Sequence, residues 1–232
     1  GGAFYQCSSL ISVTIPSSVT SIGGHSTFSG CSSLTSVTIP EGVTRIDGMT
    51  FEGCSSLTSV TIPSSVTSIL SRAFEGCSSL KNVNIPEGVT SIEPSTFEGC
   101  SSLTSVNIPE SVTSIEERAF SGCSSLDSIT IPASVISIEK DAFSECKNIV
   151  LYVKNDYAKQ YAINNHLDYI IVPESIEIIG ELKKTEYCQN ENFDIDGLKV
   201  IAYYYDESSE DVTDKCIISG FNSSIVGIST VI

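Results

Sequence analysis

Phenylalanine recurs along the first part of the chain at an almost fixed interval. Seven copies are separated by 24 residues once and then by 23 residues five times: Phe4, Phe28, Phe51, Phe74, Phe97, Phe120 and Phe143. A period between about 20 and 50 residues is typical of a solenoid, in which each coil buries its apolar side chains only against its neighbours. The spacing therefore predicts a stack of coils, with the extra residue of the GGHST segment in a surface loop.

Each repeat contains two kinds of segment. Segments such as LTSVTIP alternate Val and Ile with Ser and Thr and end at proline, which predicts one short strand per coil and a parallel sheet along the stack. The other segment, for example IEPSTFEGC, has Pro94 early and Gly99 late, which predicts a short helical turn. The expected fold class is a mainly β solenoid with helical turns opposite the sheet.

The period fades after residue 153. We expect residues 1–153 to form the solenoid, and residues 154–168 to form a helix that caps it, with Asn155 as the N-cap. The side chains predicted on its buried stripe are Tyr157, Ala158, Tyr161 and Ala162.

The sequence pattern changes again at residue 169. Strand patterns without the period, such as LKVIAYYYD at 198–206, predict a small β domain over residues 169–232. The chain also begins in the middle of a repeat, so we expect a trimmed or processed fragment.

Cysteine usage follows the repeat. Stacked strands lie about 4.8 Å apart, whereas the Cβ atoms of a disulfide are about 3.8 Å apart. Equivalent cysteines of neighbouring coils are therefore too far apart to be joined, and one cysteine per coil predicts buried free thiols that pack the stack. Cys188 and Cys216 lie in the β domain instead, where both a disulfide and two free thiols remain open. The seven periodic cysteines are Cys7, Cys31, Cys54, Cys77, Cys100, Cys123 and Cys146.

No motif for chemistry is assembled in the sequence. His25 and His166 are the only histidines and have no metal-ligand spacing, and no C-x-x-C or G-x-S-x-G motif occurs. The expectation is therefore no catalytic residue, no metal ligand and no cofactor. A hydrolase would need a pocket that brings a serine, His25 and an acid together. Three glutamates share one repeat position and predict mild like-charge repulsion along the stack: Glu52, Glu75 and Glu98.

Charge and hydropathy restrict the partners. The formal net charge is −16, from 28 acidic and 12 basic residues, and such a chain repels the phosphate backbone of nucleic acids. No apolar run of about 18 residues occurs, so we expect no membrane insertion in this fragment. We also expect a monomer.

The outer face of the predicted sheet is the candidate partner-binding surface. Its side chains are small, polar and regularly spaced, and solenoids use such extended surfaces for binding. We call the following set the polar sheet face: Ser12, Thr14, Ser36, Thr38, Ser59, Thr61, Asn82, Asn84, Ser105, Asn107, Ser128 and Thr130.

The repeat resembles a known family. The pattern L-x-x-V-x-I-P-x-x-V-x-x-I, followed by (A/T)-F-x-G-C-S-S-L, is similar to the BspA-like leucine-rich repeats of Treponema-type surface proteins over residues 1–153. The resemblance implies a right-handed coil and an exported protein. The segments ENFDIDGLKVIAYYYD and SEDVTDKCIISGFNSS resemble bacterial immunoglobulin-like modules, which implies a small β-sandwich with an incomplete last strand.

The resemblance also implies a function. We expect a secreted or cell-surface, non-catalytic leucine-rich repeat protein that mediates protein–protein interaction or adhesion. Its expected partner is a protein or glycan of a host, matrix or neighbouring cell. The alternative is a passive stalk within a larger surface protein.

Overall fold

A computed structural model describes residues 2–22, 24–181, 183 and 196–216. The chain divides into two compact units, Gly1–Ile171 and Val172–Ile232. Cys188 lies outside the described residues, so both alternatives for Cys188 and Cys216, a disulfide and two free thiols, stay open.

The first unit is the solenoid that the period predicts. LTSVTIP-type segments form parallel first strands with one-to-one register, as in Val37 opposite Val60. These first strands are β1 Ser36–Thr38, β3 Ser59–Thr61, β5 Asn82–Asn84, β7 Ser105–Asn107, β9 Ser128–Ile131 and β11 Val150–Val153. Their hydrogen bonds group them into three short sheets, β1–β3, β5–β7 and β9–β11, and a later strand, β12 (Asp168–Ile171), extends the third sheet.

Each of five coils also has a second strand that the sequence reasoning missed. Only two residues long, these strands follow the proline turn, in which Val43 N–H donates to the Pro40 carbonyl oxygen at 3.0 Å. Two residues are too few to show an alternation, so the sequence pattern gave no signal. The second strands are β2 Arg45–Ile46, β4 Ser68–Ile69, β6 Ser91–Ile92, β8 Ser114–Ile115 and β10 Ser137–Ile138.

The predicted helical turns are wrong. The segment after each second strand, here called the turn layer, is a run of turns in which Cys77 N–H bonds to the Phe74 carbonyl but Phe74 N–H bonds to the Thr96 carbonyl of the next coil at 3.0 Å. Because every second N–H of this segment donates to the next coil, the segment cannot form the consecutive hydrogen bonds of a helix. Gly99 has the predicted positive φ of 71°, and it ends such a turn.

A column of phenylalanine rings runs through the core. Consecutive rings from Phe4 to Phe143 stack with centroids 5.2–5.6 Å apart and planes within 11° of parallel. The interior copies, such as Phe74, are fully buried, whereas Phe4 in the first coil is 40% exposed. Each coil therefore completes its core only with a neighbour on either side, as the period predicts.

The helix that follows covers the last coil. α1 (Asp156–Asn164) begins at Asn155, whose side chain accepts from Ala158 N–H and also donates to the Ala133 and Val135 carbonyls of the solenoid. The ring of Tyr161 meets Phe143 edge-on at 6.2 Å and ends the aromatic column. Asn155 is confirmed as the cap, and Ala158, Tyr161 and Ala162 are buried as predicted. The prediction that Tyr157 lies on the same buried stripe is wrong, because its side chain is 42% exposed.

One more strand follows α1 in the first unit. β12 (Asp168–Ile171) pairs in parallel with β11. The predicted start of the β domain at residue 169 therefore falls within a strand of the solenoid unit. Asp168–Ile171 lacks the 23-residue spacing because α1 precedes it, and this hid its place in the sheet.

The second unit contains an antiparallel sheet. β14 (Leu198–Tyr203) lies between β13 (Ser175–Gly180) and β15 (Ser209–Asp211), and a 3-10 helix, Thr213–Lys215, follows. Val200 and Ala202 are buried on the face that the alternation predicts.

Candidate partner-binding site

The polar sheet face is assembled as predicted. All twelve of its side chains are exposed, because they alternate with the buried Val and Ile residues of the first strands. Parallel pairing places equivalent residues in two columns, with Ser36 opposite Ser59 and Thr38 opposite Thr61. Neighbouring strands are about 4.8 Å apart, so the face is a regular array of hydroxyl and amide groups.

Hydrogen bonding distinguishes this face from the other Ser and Thr columns. Outside it, hydroxyls bond along the stack: Thr58 Oγ1 donates to the Thr35 carbonyl at 3.0 Å, and Ser111 Oγ donates to the Val89 carbonyl at 2.7 Å. Within it, the only side-chain hydrogen bond among described residues joins Asn107 Nδ2 to Asn84 Oδ1 at 2.9 Å. The remaining groups of the face are available to a partner.

The two ends of the face differ in shape and chemistry. At the N-terminal end, Ser12, Thr14, Ser36 and Thr38 line a depression of about 490 Å³, which lies within the size range of ligand sites. At the C-terminal end, the Thr130 column continues into Tyr152 and Ile170, which are 36% and 48% exposed. Sequence reasoning missed these two apolar residues because neither keeps the repeat period.

The periodic cysteines are structural. Cys77 Sγ donates to the Phe51 carbonyl oxygen of the preceding coil at 3.2 Å, and the same contact recurs along the column. Burial raises the pKa of the Cys54 and Cys100 thiols to about 12 and that of Cys146 to about 11. A thiol held in its protonated form is a poor nucleophile and metal ligand.

The rate of alkylation should therefore distinguish the exposed cysteine from the buried cysteines of the native chain. At pH 8 iodoacetamide is expected to modify the exposed Cys7 readily. Modification of Cys54 should be slower by roughly a thousandfold or more, because its pKa is about 12 against an ordinary 9.0 and the thiolate is the reactive form. Peptide mass spectrometry reads out each site, and all should react in denaturant. Equal native rates for Cys7 and Cys54 would contradict the buried column.

The three periodic glutamates form a column in the turn layer. Arg118 pairs with Glu98 at 2.6 Å, and Ser29 Oγ donates to Glu52 at 3.2 Å. The pKa of Glu75 is raised, first because partial burial desolvates its carboxylate and then because Glu98 and Glu52 carry like charge. Arg72, 3.5 Å away, offsets only part of this effect.

Glu75→Gln is expected to stabilise the fold at pH 7 by a few tenths of a kcal/mol. The folded-state pKa lies above the ordinary 4.5, so the wild-type carboxyl group favours folding below pH 4.5, and this contribution is lost as the pH rises through the folded-state pKa. The gain of the variant should therefore vanish near pH 4. Urea unfolding at both pH values measures it, with Glu87→Gln on an exposed turn as control. A gain of the same size at pH 4 would disprove the cause.

The structure does not bring His25 into a triad. His25 is exposed and makes no hydrogen bond with any residue that the structure describes. The neighbouring carboxylate of Asp47 is engaged by the Arg45 side chain and by Gly24 N–H. Burial works to raise the pKa of Asp47, but those hydrogen bonds outweigh it and the pKa is lowered. The geometry of a serine hydrolase, in which a base bonds both nucleophile and acid, is not present in the described ranges.

A second concave surface lies beside α1. We call it the acidic groove: it has a volume of about 820 Å³, and its lining combines apolar side chains with four acidic residues and one basic residue, Lys140. Its lining includes Phe143, Tyr161, Leu167, Glu116, Glu117, Glu139 and Asp141. Sequence reasoning missed it because its residues come from three coils and the helix, at positions where the repeat varies. Burial raises the pKa of Tyr161 well above its ordinary value, so its hydroxyl stays protonated, donating to the Lys140 carbonyl at 3.2 Å.

The described residues contain no group of three or more His, Cys, Asp or Glu side chains arranged to hold a metal ion. None of the helices they form is both long and apolar enough to span a bilayer.

Stacked coils with a leucine, valine and isoleucine core, parallel strands and a polar outer face define a leucine-rich repeat solenoid protein. The family model of the BspA type leucine-rich repeat region matches residues 1–126 and 90–209. The chain therefore belongs to the BspA-type leucine-rich repeat family.

Solved structures agree with this assignment. A leucine-rich repeat protein from Bacteroides ovatus ATCC 8483 is 37% identical, with a TM-score of 0.63, over 67% of this chain and 40% of that one. The leucine-rich repeat protein of T. pallidum is 31% identical, with a TM-score of 0.62, over 72% of this chain and 76% of that one. A leucine-rich cell surface protein from Faecalibacterium prausnitzii A2-165 is 36% identical, with a TM-score of 0.57, over 85% and 44%. This chain thus spans less than half the length of the first and third relatives. No curated protein matched.

Proposed function

We propose that the chain is a non-catalytic recognition module of a secreted or cell-surface protein, and that the polar sheet face contacts a protein or glycan of a host, matrix or neighbouring cell. One observation carries the proposal. The hydroxyls of this face make no hydrogen bond with described residues, whereas Thr58, Ser111 and their equivalents elsewhere bond to the backbone. Donors and acceptors left open in a regular array can be satisfied by a partner.

Two further features support this role. Tyr152 and Ile170 give one end of the face the exposed apolar side chains that often dominate binding energy. One of the similar solved structures is described as a leucine-rich cell surface protein, which supports an extracellular location. We also propose that the second unit, Val172–Ile232, is an immunoglobulin-like sandwich that serves as a spacer. The antiparallel sheet β13–β14–β15 supports half of such a fold.

The test replaces three serines in one column of the face. Ser36→Lys, Ser59→Lys and Ser105→Lys together are expected to weaken binding at least tenfold, because they add bulk and charge at the centre of the face. Binding is measured on an array of matrix proteins and bacterial polysaccharides. The control carries the same charge change on exposed threonines away from the face, Thr20→Lys, Thr44→Lys and Thr90→Lys, and should bind like the parent chain.

The alternative is a passive stalk. The uniformity of most of the face favours it, because small hydroxyls supply little of the buried area of a hot spot. If the chain is a stalk, either no ligand on the array binds it, or a ligand binds the parent chain and the triple variant with equal affinity. Either result rejects the polar sheet face as a binding surface.

A further inference from the structure

One contact between neighbouring coils lacks both strand pairings. We call it the central junction: it joins the coil of β3 and β4 to the coil of β5 and β6. Among the described strands, β3 does not pair with β5 and β4 does not pair with β6. On either side of it both pairings are present, β1 with β3 and β2 with β4, and β5 with β7 and β6 with β8. The junction of β7 with β9 lacks the first pairing, but there β8 pairs with β10.

The hydrogen bonds beside the second strands show the same interruption. Thr67 N–H donates to the Thr44 carbonyl, and Thr113 N–H donates to the Thr90 carbonyl, each at 2.9 Å. The equivalent donor at the central junction is Thr90 N–H, which has no acceptor among the residues that the structure describes. Glu93 N–H, at the other end of β6, has no acceptor in the described ranges either. The second strands are therefore not bonded across this junction.

The first strands are also poorly bonded here. At the preceding junction, Ile39 N–H donates to the Thr61 carbonyl at 3.1 Å. The equivalent Ile62 N–H has no acceptor within the described part of the chain. Lys81 N–H reaches the Thr58 carbonyl at 3.5 Å, which is longer than the usual range of about 2.7–3.2 Å.

The turn layer is continuous across the same junction. Phe74 N–H donates to the Thr96 carbonyl at 3.0 Å, and Gly76 N–H donates to the Glu98 carbonyl at 2.7 Å. The rings of Phe74 and Phe97 stack with their planes 4° apart. The two coils are thus firmly bonded on the turn side and weakly bonded on the strand side.

A serine in the proline turn distinguishes the closed junctions from the central one. In three coils the serine hydroxyl donates to a valine carbonyl of the preceding coil at 2.7 Å, and the second strands pair at each of these junctions. Gly88 stands at this repeat position in the coil of β5 and β6. Gly42 is the other glycine at the position, and its junction has a single isolated bridge, Ile22–Ile46, in place of paired second strands. The three bonded pairs are Ser65–Val43, Ser111–Val89 and Ser134–Val112.

Gly88 also lets the backbone approach the preceding coil more closely. A Cβ atom at Gly88 would lie 2.8 Å from Thr67 Cγ2 and 3.3 Å from the Val66 carbonyl oxygen, and the first distance is well inside van der Waals contact. The proline turn therefore rests against the Thr67 methyl group in a position that a serine would not permit. This seating accounts for the missing bond between Thr90 N–H and the Thr67 carbonyl.

We propose that the central junction is a hinge of the solenoid, which opens on the strand side while the turn layer stays closed. Few bonds oppose opening on one side, and the continuous turn layer supplies the axis on the other. Because β3 and β5 lie in the middle of the polar sheet face, opening changes the distance between Thr61 and Asn84 and hence the curvature of that face. The hinge does not depend on whether the face has a partner.

Hydrogen exchange and NMR relaxation of the full chain test the hinge. The Thr90 and Glu93 amides are expected to exchange at least tenfold faster than the Thr67 amide, while the Phe74 amide in the turn layer stays protected. The Ile62 amide should show relaxation dispersion, because hinge motions occur in microseconds to milliseconds. Equal protection on the strand side of both junctions, loss of protection at Phe74, or no dispersion at Ile62 would overturn the hinge.

Gly88→Ser is expected to close the hinge by supplying the missing hydroxyl. Exchange at the Thr90 and Glu93 amides should slow at least tenfold, and the dispersion at Ile62 should disappear. Unchanged exchange in this folded variant would overturn the role of Gly88.

The reverse change tests the same cause if Gly88→Ser does not fold. Ser65→Gly should open the preceding junction, so that the Thr67 and Leu70 amides exchange at least tenfold faster than in the parent chain. The matched control is Ser64→Gly, which places a glycine at the exposed neighbouring residue of the same turn and should leave both amides protected. Equal effects of the two substitutions would show that the serine hydroxyl does not close the junction.

Discussion

Phe74→Ala is expected to lower the free energy of unfolding of the solenoid by about 3–5 kcal/mol. The Phe74 ring is fully buried and stacks between Phe51 and Phe97 at centroid distances of 5.4 and 5.6 Å. Its removal leaves a cavity in the middle of the aromatic column and costs two ring contacts. Urea unfolding followed by circular dichroism measures the change.

The same substitution at the first copy is the control. Phe4 is 40% exposed and stacks on one side only, so Phe4→Ala should cost about 1 kcal/mol or less, in proportion to the smaller area it buries. Similar losses at Phe4 and Phe74 would contradict a core built by neighbours on both sides.

Tyr161→Ala is expected to destabilise the solenoid by a similar amount, about 3–5 kcal/mol. Tyr161 is 7% exposed, covers the edge of the aromatic column, and donates its hydroxyl to the Lys140 carbonyl. Without the ring, Phe143 and the last coil would be open to water. Hydrogen exchange should therefore show the loss of protection beginning in the C-terminal coils.

The variant Tyr161→Phe distinguishes the contribution of the ring to stability from that of the hydroxyl group. This variant keeps the edge-on contact with Phe143 and should lose only about 1 kcal/mol, the usual net value of one hydrogen bond. Should Tyr161→Ala unfold no more easily than Tyr161→Phe, the helix would not act as a cap.

The sequence predicted the structural features that follow from the 23-residue period. The phenylalanine spacing fixes which side chains are buried, and the Ser and Thr alternation places all twelve residues of the polar sheet face at exposed positions. Asn155 was predictable as the cap because a short polar side chain before an apolar stripe is a local signal. These predictions needed no knowledge of how distant segments meet.

The remainder depends on contacts that leave no local pattern. The turn layer is not helical because its phenylalanine N–H bonds to the next coil, as Phe97 N–H does to the Ala119 carbonyl. The residue propensities within IEPSTFEGC carry no information about a hydrogen-bond partner in another coil. Tyr152 joins the polar sheet face through the pairing of β11 with β9, and Ile170 through the pairing of β12 with β11. The acidic groove needs α1 placed against the last coil, so its carboxylates look like scattered surface charges in the sequence.

The central claim is that the coils stack in register and have no independent interior. The most direct test is the stability of a chain that lacks one full period, Cys54–Gly76, so that Phe51 stacks on Phe97. We predict that this chain keeps a protected solenoid with a lower free energy of unfolding, measured by hydrogen exchange in urea, whereas deleting only Cys54–Ser65 abolishes protection around the break. Unchanged stability after the full-period deletion, or equal damage from both deletions, would contradict the stacked solenoid.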